Sequence, residues 1–477
     1  GFGLTKTGSG TTTLSAANTY TGTTSLLAGT MALAANAPSG AAGTLGNATS
    51  AVLLGDTTGT APATLLITGT GVSVGRAITV QSGSSGTKTI AYNAGSGTAT
   101  LSGTLALGTN ALTVDVAAGG RLTQSGQVTG TGTGTTFTKV GAGTLNLTNT
   151  TNNFTGNVAV TAGTLEYTGQ GTADPTVLGG GAKSITLTNG AVLRPTTTSD
   201  PSSGTKTFVI GTGGGTFDVP TGVTFTLNDG SAGTGQLQGT GLLTITGAGT
   251  VTLGNQFNHS GGVTLSSGTL QVTASSTVTT GTLVSGPVGT GLLTLAGGTI
   301  RTDGSARTLN NSVAITGDIT VGASSGSSNL TLDPTVVTSP GVGTFNLVGN
   351  RTITVPGGGQ VFVGPIVGSG TPSLTKAGGA DLILRNNTAT ASSFGNVIVS
   401  AGRLFNDGNS SVNMQNTLGT GTYTIQSGAT LAFNQSFPLT PTNNITIASG
   451  GNISMRQNTL TLAAATTTLP TAGTVLF

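Results

Sequence analysis

The chain has 477 residues, of which 83 are glycine and 100 are threonine, while only 6% are charged and 4% are aromatic. The scarcity of strong helix formers excludes an α-helical protein, and a mean hydropathy of +0.21 with a net charge of +3 argues against disorder. Because the chain has no cysteine, one histidine and one glutamate, it lacks the residues of a clustered catalytic or metal site, and we expect no cofactor.

The charged residues are spread too thinly to form a binding patch. The 15 basic residues nowhere gather into the run of Lys and Arg that a nucleic-acid site needs. No apolar stretch approaches the ~18 residues of a membrane helix, so we expect no membrane insertion by this segment. The absence of cysteine fits a protein that crosses a membrane unfolded, and we expect an extracellular or cell-surface location.

In chain order, four cassettes repeat one pattern, at 4–33, 137–167, 243–272 and 374–405. In each cassette, a leucine lies eight residues after the third residue of the cassette. The third residues are Lys6, Lys139, Ile245 and Lys376. Two glycines seven residues apart follow, the first being Gly22, Gly156, Gly261 and Gly395. Spacing this regular indicates a structural repeat.

A short alternating strand recurs once within each cassette. The predicted strand partners are Thr12 and Met31, Leu145 and Leu165, Val251 and Leu270, and Leu382 and Leu404. Alternation with period two is typical of a strand with one buried face. A strand that returns after about 20 residues predicts one coil of a parallel β-solenoid. We therefore predict an all-β fold with roughly 19–22 residues per coil, roughly 24 coils and no significant helix.

A longer period divides the chain into similar halves, 1–238 and 239–477, which we expect to form one continuous solenoid. Ile245 follows Lys6 by half the chain length. The step from Lys6 to Lys139 is long, the next step to Ile245 is shorter, and the step to Lys376 is long again. A further copy placed after residue 477 would continue this alternation, so we predict a head-to-tail homopolymer. The predicted assembly interface is formed by Gly1, Phe2, Gly3, Leu4, Thr5, Thr474, Val475, Leu476 and Phe477.

The cassettes resemble the autotransporter-associated β-strand repeat, also known as the passenger-associated transport repeat, of bacterial surface proteins. The resemblance is carried by LTKTGSG at 4–10, KVGAGTLNL at 139–147 and AGGTIRTDG at 296–304, among other stretches. It implies a right-handed β-helix passenger on the cell surface, often adhesive or structural. We therefore expect a non-enzymatic extracellular structural protein, the subunit of a β-solenoid filament. The alternatives are a passenger fragment of an autotransporter-type adhesin and a carbohydrate-active β-helix enzyme.

An enzyme of that last kind would need a groove with paired carboxylates within ~5–10 Å of each other. The densest charged groups are Arg301, Asp303 and Arg307, and Asp381, Arg385, Arg403 and Asp407. Because Asp381 and Arg403 are separated by the same offset as Leu382 and Leu404, we predict that they form a surface ion pair on adjacent coils. We assign no catalytic residue.

Two other recurring positions suggest roles. Lys6, Lys139 and Lys376 are predicted to lie on the surface, where they would meet an anionic polysaccharide or discourage lateral strand pairing. The single histidine, His259, lies two residues before Gly261, in a turn position that aromatic residues hold in the first two cassettes. We interpret it as a turn residue, because one histidine without cysteine or glutamate neighbours makes no metal site.

Overall fold

The computed structural model describes residues 1–171, 176–201, 206–228, 236–322, 328–338, 343–357, 359–368, 370–386, 392–408, 419–434, 443–455 and 467–468. These residues form β-strands and short 3-10 turns, including Thr176–Leu178 and Pro334–Val336, and contain no α-helix. No helix within the described ranges is long and apolar enough to cross a membrane. The chain divides into unit 1, Gly1–Asp229 with Gln236–Leu243, and unit 2, Gly230–Gly235 with Thr244–Phe477.

Unit 1 is built from three parallel sheets. Sheet 1A contains the strands Leu4–Lys6, Thr24–Leu26, Val52–Leu54, Ile78–Val80, Leu105–Ala106 and Val128–Thr129. Sheet 1B contains Thr11–Leu14, Gly29–Leu33, Ala63–Ile67, Lys88–Tyr92, Leu112–Val116, Thr136–Val140, Asn157–Val160, Lys183–Leu187, Lys206–Ile210 and Leu237–Gly239. Sheet 1C contains Ser73–Val74, Thr98–Leu101, Arg121–Gln124, Thr144–Leu147, Thr164–Tyr167, Ala191–Pro195 and Gly215–Val219. A further strand in this unit is Thr224–Leu227.

Unit 2 also has three parallel sheets, together with a two-stranded antiparallel hairpin formed by Thr277–Thr279 and Thr282–Ser285. Sheet 2A contains Leu243–Gly247, Val263–Leu265, Leu293–Leu295, Val313–Ile315, Phe345–Leu347 and Ile366–Gly368. Sheet 2B contains Thr250–Leu253, Thr269–Val272, Thr299–Thr302, Ile319–Val321, Arg351–Thr354, Leu374–Ala377, Val397–Val399, Tyr423–Ile425, Ile445–Ile447 and Thr467–Thr468. Sheet 2C contains Arg307–Leu309, Leu330–Leu332, Val361–Val363, Asp381–Asn386, Arg403–Gly408, Thr430–Asn434 and Asn452–Met455.

The strand register confirms the solenoid and all four predicted strand pairs: Thr12–Met31, Leu145–Leu165, Val251–Leu270 and Leu382–Leu404. The predicted coil length holds inside the cassettes and is wrong for many coils between them. In sheet 1B, Thr11 pairs with Thr30, which is within the predicted length, whereas Gly29 pairs with Ala63, which is far beyond it. Because the longer coils carry loops between their strands, about 17 turns are formed rather than roughly 24. The handedness and the continuity of the two halves stay predictions.

Alternation along each strand separates an apolar interior from a threonine-rich exterior. One inward column of sheet 1B contains Leu65, Ile90 and Val114, all buried. Because parallel coils repeat every ~4.8 Å, equivalent side chains stack, and burying each aliphatic side chain contributes roughly 1.5–3 kcal/mol. Threonine suits the outward positions, since its β-branched side chain fits a pleated surface. One outward ladder runs through Thr64, Thr89, Thr113 and Thr138.

The second repeating glycine of each cassette is required by the backbone. Gly29, Gly163, Gly268 and Gly402 have φ values of 74°, 65°, 73° and 63°. At Gly163, a Cβ atom would lie 2.4 Å from the carbonyl oxygen of Gly143. A residue with a side chain would therefore be strained at this turn and would also push neighbouring coils apart.

Candidate interaction surface

The three cassette lysines point into the solenoid, so the prediction that they lie on the surface is wrong. Lys139 lies between Val114 and Val160 in an inward column of sheet 1B and is 0% exposed. Lys6 and Lys376 hold the same position in their cassettes and are also buried. These lysines are therefore placed to serve the fold and not to meet a polysaccharide.

Each of these lysines closes the turn that follows it. The Nζ atom of Lys139 donates to the carbonyl oxygens of Val140 and Gly141 at 2.7 Å and to that of Ala162, on the next coil, at 3.3 Å. The equivalent distances in the other two cassettes are 2.6–3.0 Å, to Thr7, Gly8 and Ala28, and to Ala377, Gly378 and Ala401. One side chain thus donates to three carbonyl oxygens and joins two successive coils.

The interior disfavours the charged form of these side chains. Burial lowers the pKa of Lys139 and of Lys376 to about 8, against the opposing effect of the carboxylates of Asp115 and Asp381. The other lysines of the chain are buried as well: Lys88, Lys183 and Lys206. His259 is buried too. Any exposed basic side chain among the described residues is therefore an arginine.

The third cassette satisfies its turn without a lysine. Ile245 fills the lysine position and is 1% exposed. Ser267 replaces the alanine that comes directly before the second repeating glycine, and its hydroxyl donates to the carbonyl oxygen of Gly247 at 2.9 Å. This carbonyl corresponds to that of Gly141 in the second cassette. The serine hydroxyl therefore replaces one of the three lysine hydrogen bonds.

His259 has the turn position predicted for it. It is 0% exposed, and its carbonyl oxygen accepts a hydrogen bond from Thr290 N at 2.8 Å. Phe154 has the same arrangement in the second cassette, with Gly180 N as the donor at 3.0 Å. Among the residues that the structure describes, no group of three or more His, Asp or Glu residues is arranged to hold a metal ion.

Asp381 and Arg403 form the predicted ion pair. The two residues are directly opposite on neighbouring strands of sheet 2C. The Nε–Oδ1 and Nη2–Oδ2 distances are 3.0 and 2.5 Å, and the side chains are 16% and 42% exposed. Burial alone would raise the pKa of Asp381, but hydrogen bonds from Arg403 and Gln360 lower it below its usual value. The pair contributes at most about 1 kcal/mol, because it is partly solvated.

The remaining charged residues that we considered as catalytic candidates each contact a polar or oppositely charged partner, and they do not form one cluster. Arg385 lies 3.4 Å from Asp407. Asp303 and Arg307 pair within one turn at 2.5 Å, and the hydrogen bond from Arg307 lowers the pKa of Asp303. Arg301 does not join them, since its Nη2 donates to Gln271 Oε1 at 3.0 Å on the preceding strand. These carboxylates are therefore engaged by arginine, unlike a free acid–base pair.

A depression of about 410 Å³ in unit 2 also fails to supply paired carboxylates. It is lined by Gly298, Thr299, Asp318, Ile319, Thr320, Thr352 and Thr354. Its single carboxylate, Asp318, accepts a hydrogen bond from the backbone N–H of Thr352 at 2.8 Å. Acid–base hydrolysis of a glycosidic bond needs two carboxyl groups, so this depression does not fit that chemistry.

A charged cluster that we did not predict lies on the outward face of sheet 1C. Glu166, which is 7% exposed, contacts Arg121 and lies 3.4 Å from Arg194. Arg194 in turn lies 2.5 Å from Asp218 on the following strand. Glu166 and Arg194 are directly opposite in the sheet. Their separation along the chain is longer than the predicted coil, and this hid the pair in the sequence.

The outward residue beside each predicted strand pair changes from cassette to cassette. The four outward pairs are Thr13–Ala32, Asn146–Glu166, Thr252–Gln271 and Ile383–Phe405. The outward side chains beside one repeated interior are thus small, charged, polar or aromatic, although Ala32, Asn146, Glu166, Thr252 and Ile383 among them are buried.

Comparison with known proteins agrees with the resemblance. Residues 4–33, 137–166 and 238–272 match the model of the passenger-associated-transport-repeat family. The chain is 30% identical over 262 residues to the adhesin BmaC autotransporter of Brucella suis biovar 1 (strain 1330). That alignment covers 53% of this chain and 7% of the adhesin. No solved structure matches the chain. The chain therefore carries passenger-associated transport repeats and is similar to part of a much longer autotransporter adhesin.

Proposed function

We propose that this chain, with its three passenger-associated transport repeats, is part of a non-enzymatic passenger that a bacterium displays on its surface as an adhesin. The observation that carries the proposal is the match of three folded cassettes to that repeat. Similarity to the Brucella adhesin supports the adhesive role.

The division of labour within each coil supports the same role. Inward positions hold the stack together through apolar columns and the lysine or serine turn bonds. Outward positions are free to vary, because they contribute little to the core. In this proposal the solenoid is a support, and binding is performed by outward side chains.

Attachment of particles coated with the chain tests the adhesive role. Beads carrying residues 1–477 are expected to attach to epithelial monolayers more often than beads carrying the heat-unfolded chain. The unfolded chain is the matched control, since it has the same composition and charge. Equal attachment of the two bead populations would contradict the proposal.

Surface display is tested separately on the producing bacterium. An antibody against the folded chain is expected to stain intact cells, and external protease is expected to remove that staining. Staining that appears only after the cells are lysed would contradict a cell-surface location.

A second candidate is the predicted head-to-tail filament. Leu4–Lys6 and Thr11–Leu14 are the outermost strands of sheets 1A and 1B, and Phe2 is 90% exposed. An outermost strand offers unpaired N–H and C=O groups to another chain. The other half of the predicted contact, Thr474–Phe477, lies outside the described residues.

Thr5 provides the sharpest test of the filament. Leu4 N donates to Thr23 O at 3.0 Å and Leu27 N donates to Lys6 O at 2.9 Å. Since alternate residues of a parallel strand bond opposite neighbours, the N–H of Thr5 points to the free edge. Electron microscopy is expected to show fibres, and T5P is expected to abolish them while the circular dichroism spectrum is kept. Short discrete particles of the unaltered chain would contradict the filament and leave the adhesin proposal intact.

A further inference from the structure

The outward face of sheet 2C carries a column of apolar side chains. Phe362, Ile383 and Phe405 stack in register on three consecutive strands. Among the phenylalanines of the described residues, Phe2, Phe362 and Phe405 are the ones that are not buried. Two of these three therefore share one column, which we call the aromatic column. Most other aromatic rings of the described residues lie inside the solenoid, so the interior does not account for these two.

Two ion pairs of opposite orientation border the aromatic column. Asp381 and Arg403 lie on one side, and Arg385 and Asp407 lie on the other. Each of the two strands, Asp381–Asn386 and Arg403–Gly408, thus places one acid and one base beside the column. The border has no net charge and offers hydrogen-bond donors and acceptors on both sides.

The arginines also contact the two half-buried rings. The guanidinium carbon of Arg385 lies 4.2 Å from the ring centroid of Phe362, and that of Arg403 lies 5.3 Å from that of Phe405. Arginine over an aromatic face is attracted to the ring quadrupole. These contacts hold each guanidinium group over its ring, so a ligand on the column would meet the ring together with the remaining N–H groups of the arginine.

The dimensions and charge of the aromatic column indicate which kind of ligand it can bind. Strands ~4.8 Å apart place the two rings roughly 10 Å apart, and residues 381 and 385 lie roughly 14 Å apart along a strand. The area is then roughly 150 Å², far below the ~800 Å² that each partner buries in a standard protein interface. Zero net charge gives a polyanion no attraction. A short, neutral, polar ligand with an apolar face fits both limits.

We propose that the aromatic column binds a neutral oligosaccharide, whose apolar sugar faces rest on Phe362 and Phe405 and whose hydroxyls bond the bordering Asp and Arg side chains. This inference rests on the proposed adhesive function and names the class of its ligand. The column supplies a stacking surface, while the two ion pairs select hydroxyl groups over charged ones.

A printed array of neutral and sulfated oligosaccharides tests the proposal with the purified full chain. Neutral glycans are expected to be retained equally at low and at high salt, because no ion pair with the ligand is formed. F405A and F362A are each expected to weaken binding about tenfold or more. F405Y keeps the ring and is expected to bind as the unaltered chain does. R194A, which removes an outward arginine of unit 1, is the matched control and is expected to change nothing.

Three results of the array experiment would overturn the proposal. They are retention of no neutral glycan, salt-sensitive retention of sulfated glycans alone, and unchanged binding by F405A and F362A when hydrogen exchange shows intact strands. Bead attachment separates this proposal from the adhesin proposal. If coated beads attach but the array retains no neutral glycan, the adhesin proposal stands and the glycan site is wrong. If attachment needs Phe405 yet survives periodate oxidation of cell-surface sugars, the partner is a protein and the glycan site is again wrong.

Discussion

The second and third cassettes satisfy the same turn with different side chains. In the second, buried Lys139 donates to three carbonyl oxygens. In the third, Ile245 is purely apolar, and the hydroxyl of Ser267 donates one hydrogen bond to the carbonyl oxygen of Gly247. The comparison teaches that the repeat requires a donor for the turn carbonyl and does not require a charge. Lysine does more, because it reaches two further carbonyls.

The two solutions should differ in strength and in response to pH. A lysine with three partners ties two coils together but carries the cost of a buried ammonium group. The serine solution makes one neutral hydrogen bond and has no titratable group. Four experiments measure how the two solutions differ.

The largest effect is expected from K139M. Methionine keeps most of the volume but leaves the carbonyls of Val140, Gly141 and Ala162 without their donor, which should cost about 3 kcal/mol locally. Hydrogen exchange of the strand Asn157–Val160 measures the loss, because coils of a solenoid open locally. The control is I245M, which should cost less than about 1.5 kcal/mol. Equal protection in the two variants would show that the lysine bonds are not needed.

The next largest effect is expected in the pH dependence of stability, which should differ between the second and third cassettes. The pKa of Lys139 and of Lys376 is about 8 in the folded chain and 10.5 for an ordinary, solvated lysine, as in the unfolded chain. Between these values the unfolded chain binds more protons than the folded chain, so stability should rise from pH 8, by about 1–3 kcal/mol per lysine. Burial raises the pKa of Tyr167 and Tyr423 above 10.0, so stability should fall again above pH 10.

Thermal unfolding between pH 7 and 11 measures this curve. The double variant K139M/K376M should lose most of the rise between pH 8 and 10. Hydrogen exchange of Thr269–Val272, in the cassette without a lysine, should show little of it. A melting temperature that stays flat or falls from pH 8 to 10 in the unaltered chain would contradict the depressed lysine pKa values.

Introducing the isoleucine and serine of the third cassette into the second cassette should change stability by a smaller amount. K139I/A162S is expected to recover about 1 kcal/mol relative to K139I alone, since the new hydroxyl donates to the carbonyl of Gly141. A double-mutant cycle with A162S isolates the coupling, again by hydrogen exchange of Asn157–Val160. Simple additivity of the two changes would mean that the serine and the lysine do not serve the same carbonyl.

The smallest effect is expected from S267A. It removes one hydroxyl that donates to a partly solvated carbonyl, so the cost should be about 0.5–1 kcal/mol. Protection of the Val263–Leu265 amides measures it, and the neighbouring change S266A serves as the control. A larger loss than in K139M would reverse the ranking of the two solutions.

Much of the fold could be predicted from local patterns. The pairs Leu145–Leu165 and Leu382–Leu404 were found at the right register, because strand alternation and cassette spacing are both written in the sequence. The same register predicted the ion pair of Asp381 with Arg403. The coil length outside the cassettes could not be predicted, since loops between strands vary without any period. Glu166 and Arg194 were missed for that reason.

The direction of Lys139 shows where a signal was present but misread. Phe137 and Lys139 have the same parity in their strand, and Ile245 fills the equivalent position in the third cassette. That alternation places the lysine inside. The general rule that lysine is exposed fails here, because three carbonyl oxygens satisfy the buried amine.

Local sequence patterns are enough to specify a stack of parallel coils with repeated interiors, because period-two alternation and fixed glycine spacing are local properties. The tertiary structure was needed to show which carbonyl oxygens the buried lysines bond and which outward side chains meet beyond the cassettes. The third acceptor of each lysine comes from the next coil, as Ala162 does for Lys139. The aromatic column likewise exists only because Phe362, Ile383 and Phe405 come from three different coils. Such contacts depend on the loop lengths between strands, which no local pattern encodes.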